Sequence, residues 1–143
     1  MKEVAIDASL SLQWYLEDEV DRGYSLAVLE RLFELKAIVP VVPVLWFYEL
    51  GNGLTMACCR KRITYDQAGA YLEKVRHLGI AVDAVDPTTI LTLPEFARKY
   101  ELTNYDAAYL ELAIRRNVPL ATTDAALRRA AEKAGVPLLK PSE

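Results

Sequence analysis

The chain has 143 residues, of which 52% are apolar, so it is long enough to enclose one hydrophobic core, and we expect a single domain over residues 1–143. Its net charge of −3 excludes a general electrostatic attraction to nucleic acid, so a polyanion would need local basic residues or a metal ion. No apolar run approaches the roughly 20 residues that cross a bilayer, and the N-terminus lacks the uninterrupted apolar region of a secretory signal. The adjacent cysteines Cys58 and Cys59 fit a reducing compartment, so we expect a cytoplasmic protein.

Signals for short strands alternate with signals for longer helices along the whole chain. In chain order, they predict a strand at 4–6, helices at 9–18 and 21–36, a strand at 37–42 broken by prolines, helices at 44–59 and 64–77, a strand at 80–82, helices at 86–100 and 104–116, a strand at 119–122, a helix at 124–134 and a strand at 137–139. Pro94 begins or kinks the helix in which it lies, and Gly135 caps the last one. This alternation predicts an α/β fold, a three-layer α/β/α sandwich with a central, mostly parallel sheet.

Helical spacing also predicts which side chains face inward. The inward sets are Leu10, Trp14 and Leu16; Leu26, Leu29, Leu32 and Phe33; Leu45, Tyr48 and Leu54; and Tyr65, Ala68, Leu72 and Val75.

Acidic residues collect at the predicted carboxyl edge of the sheet. Asp7 directly follows the first strand, and Asp124 follows the strand at 119–122. Asp106 begins the helix that leads into that strand, and because the helix runs antiparallel to the strand, its N-terminus lies over the same edge. Capping alone explains any one of the three, and Thr103 with Asp106 resembles a capping pair. Like charges placed so close repel unless a cation or a shared proton offsets them, so the three together predict a metal site.

Glu49 is a fourth candidate for this site. It lies in an otherwise apolar helix, and Asn52 shares its face one turn later. A solvated glutamate is the alternative, but the bulky apolar neighbours indicate burial, and a buried carboxylate needs a partner. Carboxylates without a nearby histidine or cysteine suit Mg²⁺ or Mn²⁺. The lone His77 is expected on the surface, and no zinc spacing, Gly-rich phosphate loop or serine-nucleophile elbow occurs.

Four fragments occur in a specific order along the chain. They are DAS at 7–9 after a hydrophobic strand, Pro43 followed by Glu49 and Asn52, TNYDAAY at 103–109, and LATTD at 120–124. In this order and covering nearly the whole chain, they resemble the PIN-domain ribonucleases, most closely the VapC-type toxins of bacterial and archaeal toxin–antitoxin pairs. No acidic position departs from the family's pattern.

The resemblance implies a metal-dependent endoribonuclease that leaves 5′-phosphate and 3′-hydroxyl ends. Asp7, Glu49, Asp106 and Asp124 would form its acidic cluster, with Asp7, Asp106 and Asp124 as ligands of Mg²⁺ or Mn²⁺. Ser9 and Thr123 would orient the cluster through hydroxyl contacts, and Asn52 would support Glu49. Basic residues should rim the cleft for RNA, although a solvated helix face explains each cluster equally well. The candidates are Arg60, Lys61, Arg62, Arg128 and Arg129.

Partners also follow from the resemblance. VapC-type toxins are usually homodimers, and a small VapB-type antitoxin inhibits them. The C-terminal segment of the antitoxin covers an apolar groove near the active site and often places an arginine among the acids. The residues that could line this groove, or could equally be core, are Leu12, Trp14, Tyr15, Leu16, Trp46 and Phe47.

Three other functions fit parts of the sequence. A receiver-like Mg²⁺-binding signalling module shares the parallel α/β pattern, but receivers carry paired acids after the first strand and a phosphoacceptor aspartate after the third. Here Asp7 stands alone, and only Asp83 and Asp86 lie near the third strand. A haloacid-dehalogenase-like phosphatase would need an aspartate where Ser9 stands. A catalytically inactive PIN-like binding scaffold is the third alternative, against which the intact acidic set argues.

Overall fold

A computed structural model describes residues 2–35 and 38–141 of the chain. Strands and helices alternate as the sequence predicts. The elements are β1 (Lys2–Ile6), α1 (Ala8–Gln13), α2 (Gly23–Leu35), β2 (Ile38–Pro43), α3 (Val44–Cys59), α4 (Tyr65–Arg76), β3 (Ala81–Asp83), α5 (Pro87–Leu91), α6 (Leu93–Tyr100), α7 (Asn104–Arg116), β4 (Leu120–Ala121) and α8 (Ala125–Ala134).

The four described strands form one parallel sheet in the order β3-β2-β1-β4. Helices flank this sheet, so the predicted α/β/α architecture is confirmed. The chain moves outward from β1 through β2 and β3, and then returns to the other side of β1 as β4. The strand order therefore reverses between β1 and β4, and ligands of parallel sheets bind outside the carboxyl ends of the strands at such a point.

The core surrounds β1, whose Val4, Ala5 and Ile6 are completely buried. A parallel strand covered by helices on both faces needs such a continuous apolar run. From the helices, Trp46 of α3 and Leu110 of α7 are also fully buried. Because α7 packs on β1 and β2, its N-terminal turn is held at the carboxyl edge of the sheet.

Helices α3 and α7 have the predicted bounds, but the predicted helix at 9–18 ends at Gln13. Trp14 and Leu16 are both buried. In a continuous helix, two residues with this spacing would lie about 200° apart, on nearly opposite faces, so only one could face the core. Ending the helix at Gln13 allows both side chains to be buried. The predicted helix at 86–100 is two helices, α5 and α6, with Pro94 in the first turn of α6. Proline is tolerated there because the first-turn N–H has no helical partner.

The prolines of β2 do not break it. Pro40 pairs with Val4 of β1, while the pairing with β3 begins only at Val41, so Pro40 occupies an edge position on that side. The predicted strand at 137–139 is only a single bridge between Leu138 and Leu120. Residues 36 and 37, which were predicted to end one helix and begin the β2 strand, lie outside the described residues.

Several predicted inward residues instead face solvent. The predictions for Tyr48, Tyr65 and Phe33 are wrong, because these side chains are 74%, 73% and 59% exposed. Their helices carry apolar residues on two faces, and spacing alone does not rank the faces. Leu26 and Leu72 are also exposed, while Val28, Trp46, Leu50 and Tyr71 are buried in their place. None of the described helices is long and apolar enough to cross a membrane.

Candidate active site

Asp7 ends β1 and caps α1. Its Oδ1 accepts the Leu10 N–H at 3.0 Å, and its Oδ2 accepts the Ser9 hydroxyl at 3.0 Å and the Thr122 hydroxyl. The residue is 3% exposed, so these donors replace the water that the carboxylate loses on burial. The predicted hydroxyl contact from Ser9 is therefore present.

Thr122 links the two strands that border the switch point. Its hydroxyl donates to Asp7 and accepts the backbone N–H of Asp124 at 3.0 Å. The adjacent Thr123, which the family resemblance implies as the orienting hydroxyl, is half-buried and has no hydrogen bond to the acids among the described contacts. The signal that was missed is register: Ile6 pairs with Ala121, which places Asp7 directly beside Thr122.

Glu49, on α3, is half-buried and accepts a hydrogen bond from the Tyr109 hydroxyl at 2.6 Å. Asn52, predicted to support Glu49, is exposed, and the described contacts of Glu49 do not include it. Burial, followed by the hydrogen bond to Glu49 and the charges of Glu49 and Asp7, raises the pKa of Tyr109 well above its usual 10, so its hydroxyl is a donor at neutral pH. Tyr109 lies one helical turn after Asp106, and this spacing is the sequence signal that could have identified it as part of the site.

Capping explains part of the acidic set, as the sequence allowed. Asp124 caps α8, with its Oδ2 accepting the Leu127 N–H at 2.9 Å. Thr103, not Asp106, caps α7, since its hydroxyl accepts the Asp106 N–H at 3.1 Å. Asp106 therefore lies in the first turn of a helix that is already capped, where its carboxylate is favoured by the helix dipole.

Asp106 lies within electrostatic range of each of the other three acids. The pKa of Asp7 is raised to about 6, mainly by burial and to a smaller extent by the charge of Asp106. Hydrogen bonds from Thr122, Leu10 and Ser9 act in the opposite direction and lower this pKa. Burial also raises the pKa of Asp106, and the charges of Asp124 and Glu49 raise it further. Mutual repulsion of this kind is what a bound cation would relieve.

The donor chemistry fits a hard divalent cation. Four carboxylates without imidazole or thiolate match the ligands of Mg²⁺ and Mn²⁺. Among the described hydrogen bonds, Glu49 uses Oε1 and Asp124 uses Oδ2, which leaves Oε2 and Oδ1 for another ligand. Within residues 2–35 and 38–141, however, no three His, Cys, Asp or Glu side chains are grouped so that they could hold an ion as they stand. Binding would therefore require the side chains to draw together.

A family model for the PIN domain matches residues 4–133. The chain belongs to the PIN-domain family. The family predicted from the four fragments is thus confirmed. PIN domains are nucleases, which supports a hydrolase that acts on nucleic acid, and such nucleases generally use divalent metal ions. No curated protein sequence matches the chain significantly.

Solved structures share the fold over nearly the whole PIN domain. PAE2754 from Pyrobaculum aerophilum is 25% identical with a TM-score of 0.65, over 90% of this chain and 86% of that one. VapC20 from Mycobacterium tuberculosis, described as a sarcin-ricin loop cleaving toxin, is 15% identical with a TM-score of 0.69, over 96% and 99%. FitAcB from Neisseria gonorrhoeae is 15% identical with a TM-score of 0.62, over 98% and 99%. At 15% identity the last two show the fold alone.

Asp83, the last residue of the third strand of this PIN domain, is bound by two arginines. It is 2% exposed and accepts hydrogen bonds from Arg115 and from Arg116, the latter at 2.9 Å. A receiver phosphoacceptor must be open to the phosphodonor, so this arrangement and the family match argue against the receiver alternative.

The predicted basic residues differ in their surroundings. Arg128 of α8 is half-buried, donates from Nε to the Thr122 carbonyl at 2.7 Å, and lies 4.5 Å over the Tyr24 ring. Arg62 pairs with Asp18 at 2.7 Å and with Glu19. The remaining three, Arg60, Lys61 and Arg129, are exposed, as is the predicted surface residue His77.

Two apolar depressions mark the surface of this PIN domain. The first, between α1, α2 and α4, has a volume of about 670 Å³ and a lining that includes Trp14, Tyr15, Leu29, Phe33, Val75 and Leu78. The second, about 450 Å³, is lined in part by Val44, Tyr48, Ile90, Leu93 and Tyr105. Of the residues predicted for a groove, Trp14 and Tyr15 line the first depression, although Trp14 is itself buried; Leu16 and Trp46 are also buried in the core.

Proposed function

We propose that this PIN domain is a metal-dependent endoribonuclease and the toxin of a VapBC-type, type II toxin–antitoxin pair. The observation that carries the proposal is the placement of Asp7, Glu49 and Asp124 within electrostatic range of Asp106, at the switch point of the sheet. The similar fold of VapC20, described as a toxin that cleaves the sarcin-ricin loop, supports RNA as the substrate.

Asp7, Asp106 and Asp124 would hold Mg²⁺ or Mn²⁺. The chemistry such an ion supplies is a lowered pKa for a water molecule and an offset of the charge on the scissile phosphate. Asp7 is fixed from three sides by the Leu10 amide and the Ser9 and Thr122 hydroxyls, so its orientation is set before any ligand binds. Glu49 adds a fourth negative charge beside Asp106.

Arg128 is the best placed of the basic residues to contact an RNA phosphate. Its Nε is bound to the carbonyl of Thr122, and Tyr24 supports its guanidinium plane, so the group is held next to the acidic centre. A preorganised guanidinium loses little entropy when it binds a phosphate. Arg129, Arg60 and Lys61 would extend the contact, whereas Arg62 is already paired with acids.

An antitoxin segment would occupy the groove between α1, α2 and α4. The groove is lined mainly by apolar side chains, and Phe33 on its wall is 59% exposed and available to a partner. An apolar helix face in such a groove is a common mode of peptide recognition. We expect a small protein encoded beside this gene to co-purify with the wild type, and Phe33→Asp should abolish this co-purification while nuclease activity remains. A complex that survives the substitution would reject this groove as the binding site.

A second copy of the chain would cover the second depression, which Val44, Tyr48 and Tyr105 help to line. Val44, Tyr48 and Tyr105 expose 53%, 74% and 64% of their surfaces there, and a homodimer would bury this patch. Light scattering should give a dimer mass for the wild type and a monomer mass for Tyr48→Asp. A dimer that persists in the variant would place the interface elsewhere.

The activity test compares the wild type with Asp7→Ala and Asp106→Ala on structured RNA, with Mn²⁺ or with EDTA. We expect cleavage only by the wild type with Mn²⁺. Asp66→Ala is the matched control, because Asp66 is an exposed aspartate in the first turn of α4 and is not one of the four acids. Cleavage that survives chelation or either active-site substitution contradicts the mechanism, and a wild type that binds RNA without cleaving it favours the inactive scaffold.

A further inference from the structure

A buried tyrosine joins two of the helices that build the acidic centre. Tyr109 is 1% exposed and lies on α7, one turn after Asp106. Its hydroxyl donates to Glu49 Oε1 on α3 at 2.6 Å. This hydrogen bond therefore links the helix that carries Asp106 to the helix that carries Glu49.

Glu49 depends on this contact for its orientation. A glutamate side chain has three rotatable bonds, so holding it in one orientation costs conformational entropy that a contact must offset. Among the described contacts, the hydrogen bond from Tyr109 is the one that holds the Glu49 carboxylate. Without it, the charge of Glu49 could move away from Asp106, with which it now interacts.

We propose that Tyr109 is a positioning residue of the acidic centre, which holds the Glu49 carboxylate toward Asp106 and thereby strengthens divalent-cation binding; this rests on the proposed metal-dependent function. The hydroxyl acts through Glu49 and touches neither substrate nor metal. Partners that orient metal-site carboxylates typically change metal affinity by about 10–100-fold when they are removed.

The test is the Mn²⁺ affinity of Tyr109→Phe, measured by electron paramagnetic resonance on the full chain. Phenylalanine keeps the ring in the core and removes only the hydroxyl, so we expect the Kd for Mn²⁺ to rise about tenfold. Tyr71→Phe is the matched control: Tyr71 is 4% exposed and donates its hydroxyl to the Ser11 carbonyl, so it loses a buried hydrogen bond that involves no carboxylate. We expect its Kd to equal that of the wild type, and equal weakening in both variants would overturn the proposal.

Combining substitutions tests whether Tyr109 acts through Glu49. Glu49→Gln should weaken Mn²⁺ binding, and adding Tyr109→Phe to it should have little further effect, because the charge to be positioned is already gone. Independent, additive losses would overturn the proposed route. If Tyr109→Phe fails to fold, Glu49→Gln alone tests the proposal. An unchanged Mn²⁺ Kd in Glu49→Gln would overturn it, because the Glu49 charge would then not contribute to Mn²⁺ binding.

The same measurement separates this proposal from the proposed function. A wild type that binds no Mn²⁺ rejects both the metal-dependent function and the role of Tyr109. If the wild type and Tyr109→Phe bind Mn²⁺ with equal Kd values, only the positioning role of Tyr109 is rejected.

Discussion

Replacing Thr122 with valine removes one hydroxyl and keeps the shape of the side chain. That hydroxyl donates to the buried carboxylate of Asp7 and accepts the N–H of Asp124. A hydrogen bond to a charged group contributes about 1.5–3 kcal/mol, and leaving a buried N–H without its partner costs about 1–3 kcal/mol. Because the Asp124 amide is only partly buried, we take the lower part of its range and expect Thr122→Val to lower the free energy of unfolding by about 2–4 kcal/mol.

Thr123→Val is the matched comparison, because it removes a hydroxyl from the next residue, which has no contact with the acids among the described hydrogen bonds. A substitution of this kind typically changes stability by less than about 0.5 kcal/mol. Urea unfolding can be followed by the fluorescence of Trp14 and Trp46, which are 7% and 0% exposed. Equal losses in the two variants would refute the assignment of Thr122 as the residue that joins Asp7 to Asp124, and a larger loss in Thr123→Val would restore the prediction made from the sequence.

Three further predictions concern charge. Burial raises the pKa of Asp83, but hydrogen bonds and charges from two arginines outweigh this effect and lower its pKa overall. The ionised Asp83 therefore stabilises the fold fully above the unfolded pKa of about 3.9, and this stabilisation is lost as the pH falls through the folded pKa. Asp83→Asn should cost about 1–3 kcal/mol in urea unfolding at pH 7, with a smaller difference at pH 3, while the exposed Asp18→Asn has no measurable effect. In a thermal scan, Mn²⁺ at 100 times its Kd should stabilise the wild type by about 2.7 kcal/mol and EDTA should reverse this, whereas an unchanged Tm would contradict a metal site. Arg128→Ala should weaken RNA binding and reduce the slope of log affinity against log salt by about 0.7, and an effect no larger than that of Arg76→Ala on α4 would remove Arg128 from the interface.

The fold was predictable because its strongest signals are local. The apolar run at Val4 to Ile6 and the capped helix from Asn104 to Arg116 each agree with the structure. The faces of the amphipathic helices were harder, since Tyr48 and Trp46 are both large and apolar but only Trp46 is buried. Helical spacing predicts that a helix forms, while the choice between two apolar faces depends on which neighbour the helix meets.

The backbone positions of the acids were predictable from connectivity, but their partners were not. Parallel strands place Asp7 and Asp124 at one edge whatever the strand order. The choice of Thr122 over Thr123 needs the pairing of β1 with β4, which joins residues more than a hundred positions apart. The contact between Tyr109 and Glu49 likewise needs α7 packed near α3. Sequence periodicity carries no information on either pairing.

Capping and metal binding, which the sequence left as alternatives, are compatible in this structure. A cap occupies part of a carboxylate: Asp124 gives Oδ2 to the Leu127 amide and keeps Oδ1. A cap also contributes about 1 kcal/mol, which helps offset the cost of holding Asp7 buried near other negative charges. The residual cost appears as the raised pKa of Asp7 and Asp106, which caps and hydroxyls do not remove. The fold thus orients the acids through hydrogen bonds that need no metal, and the cost of burial and repulsion that remains is the part of the free energy that a bound cation would offset.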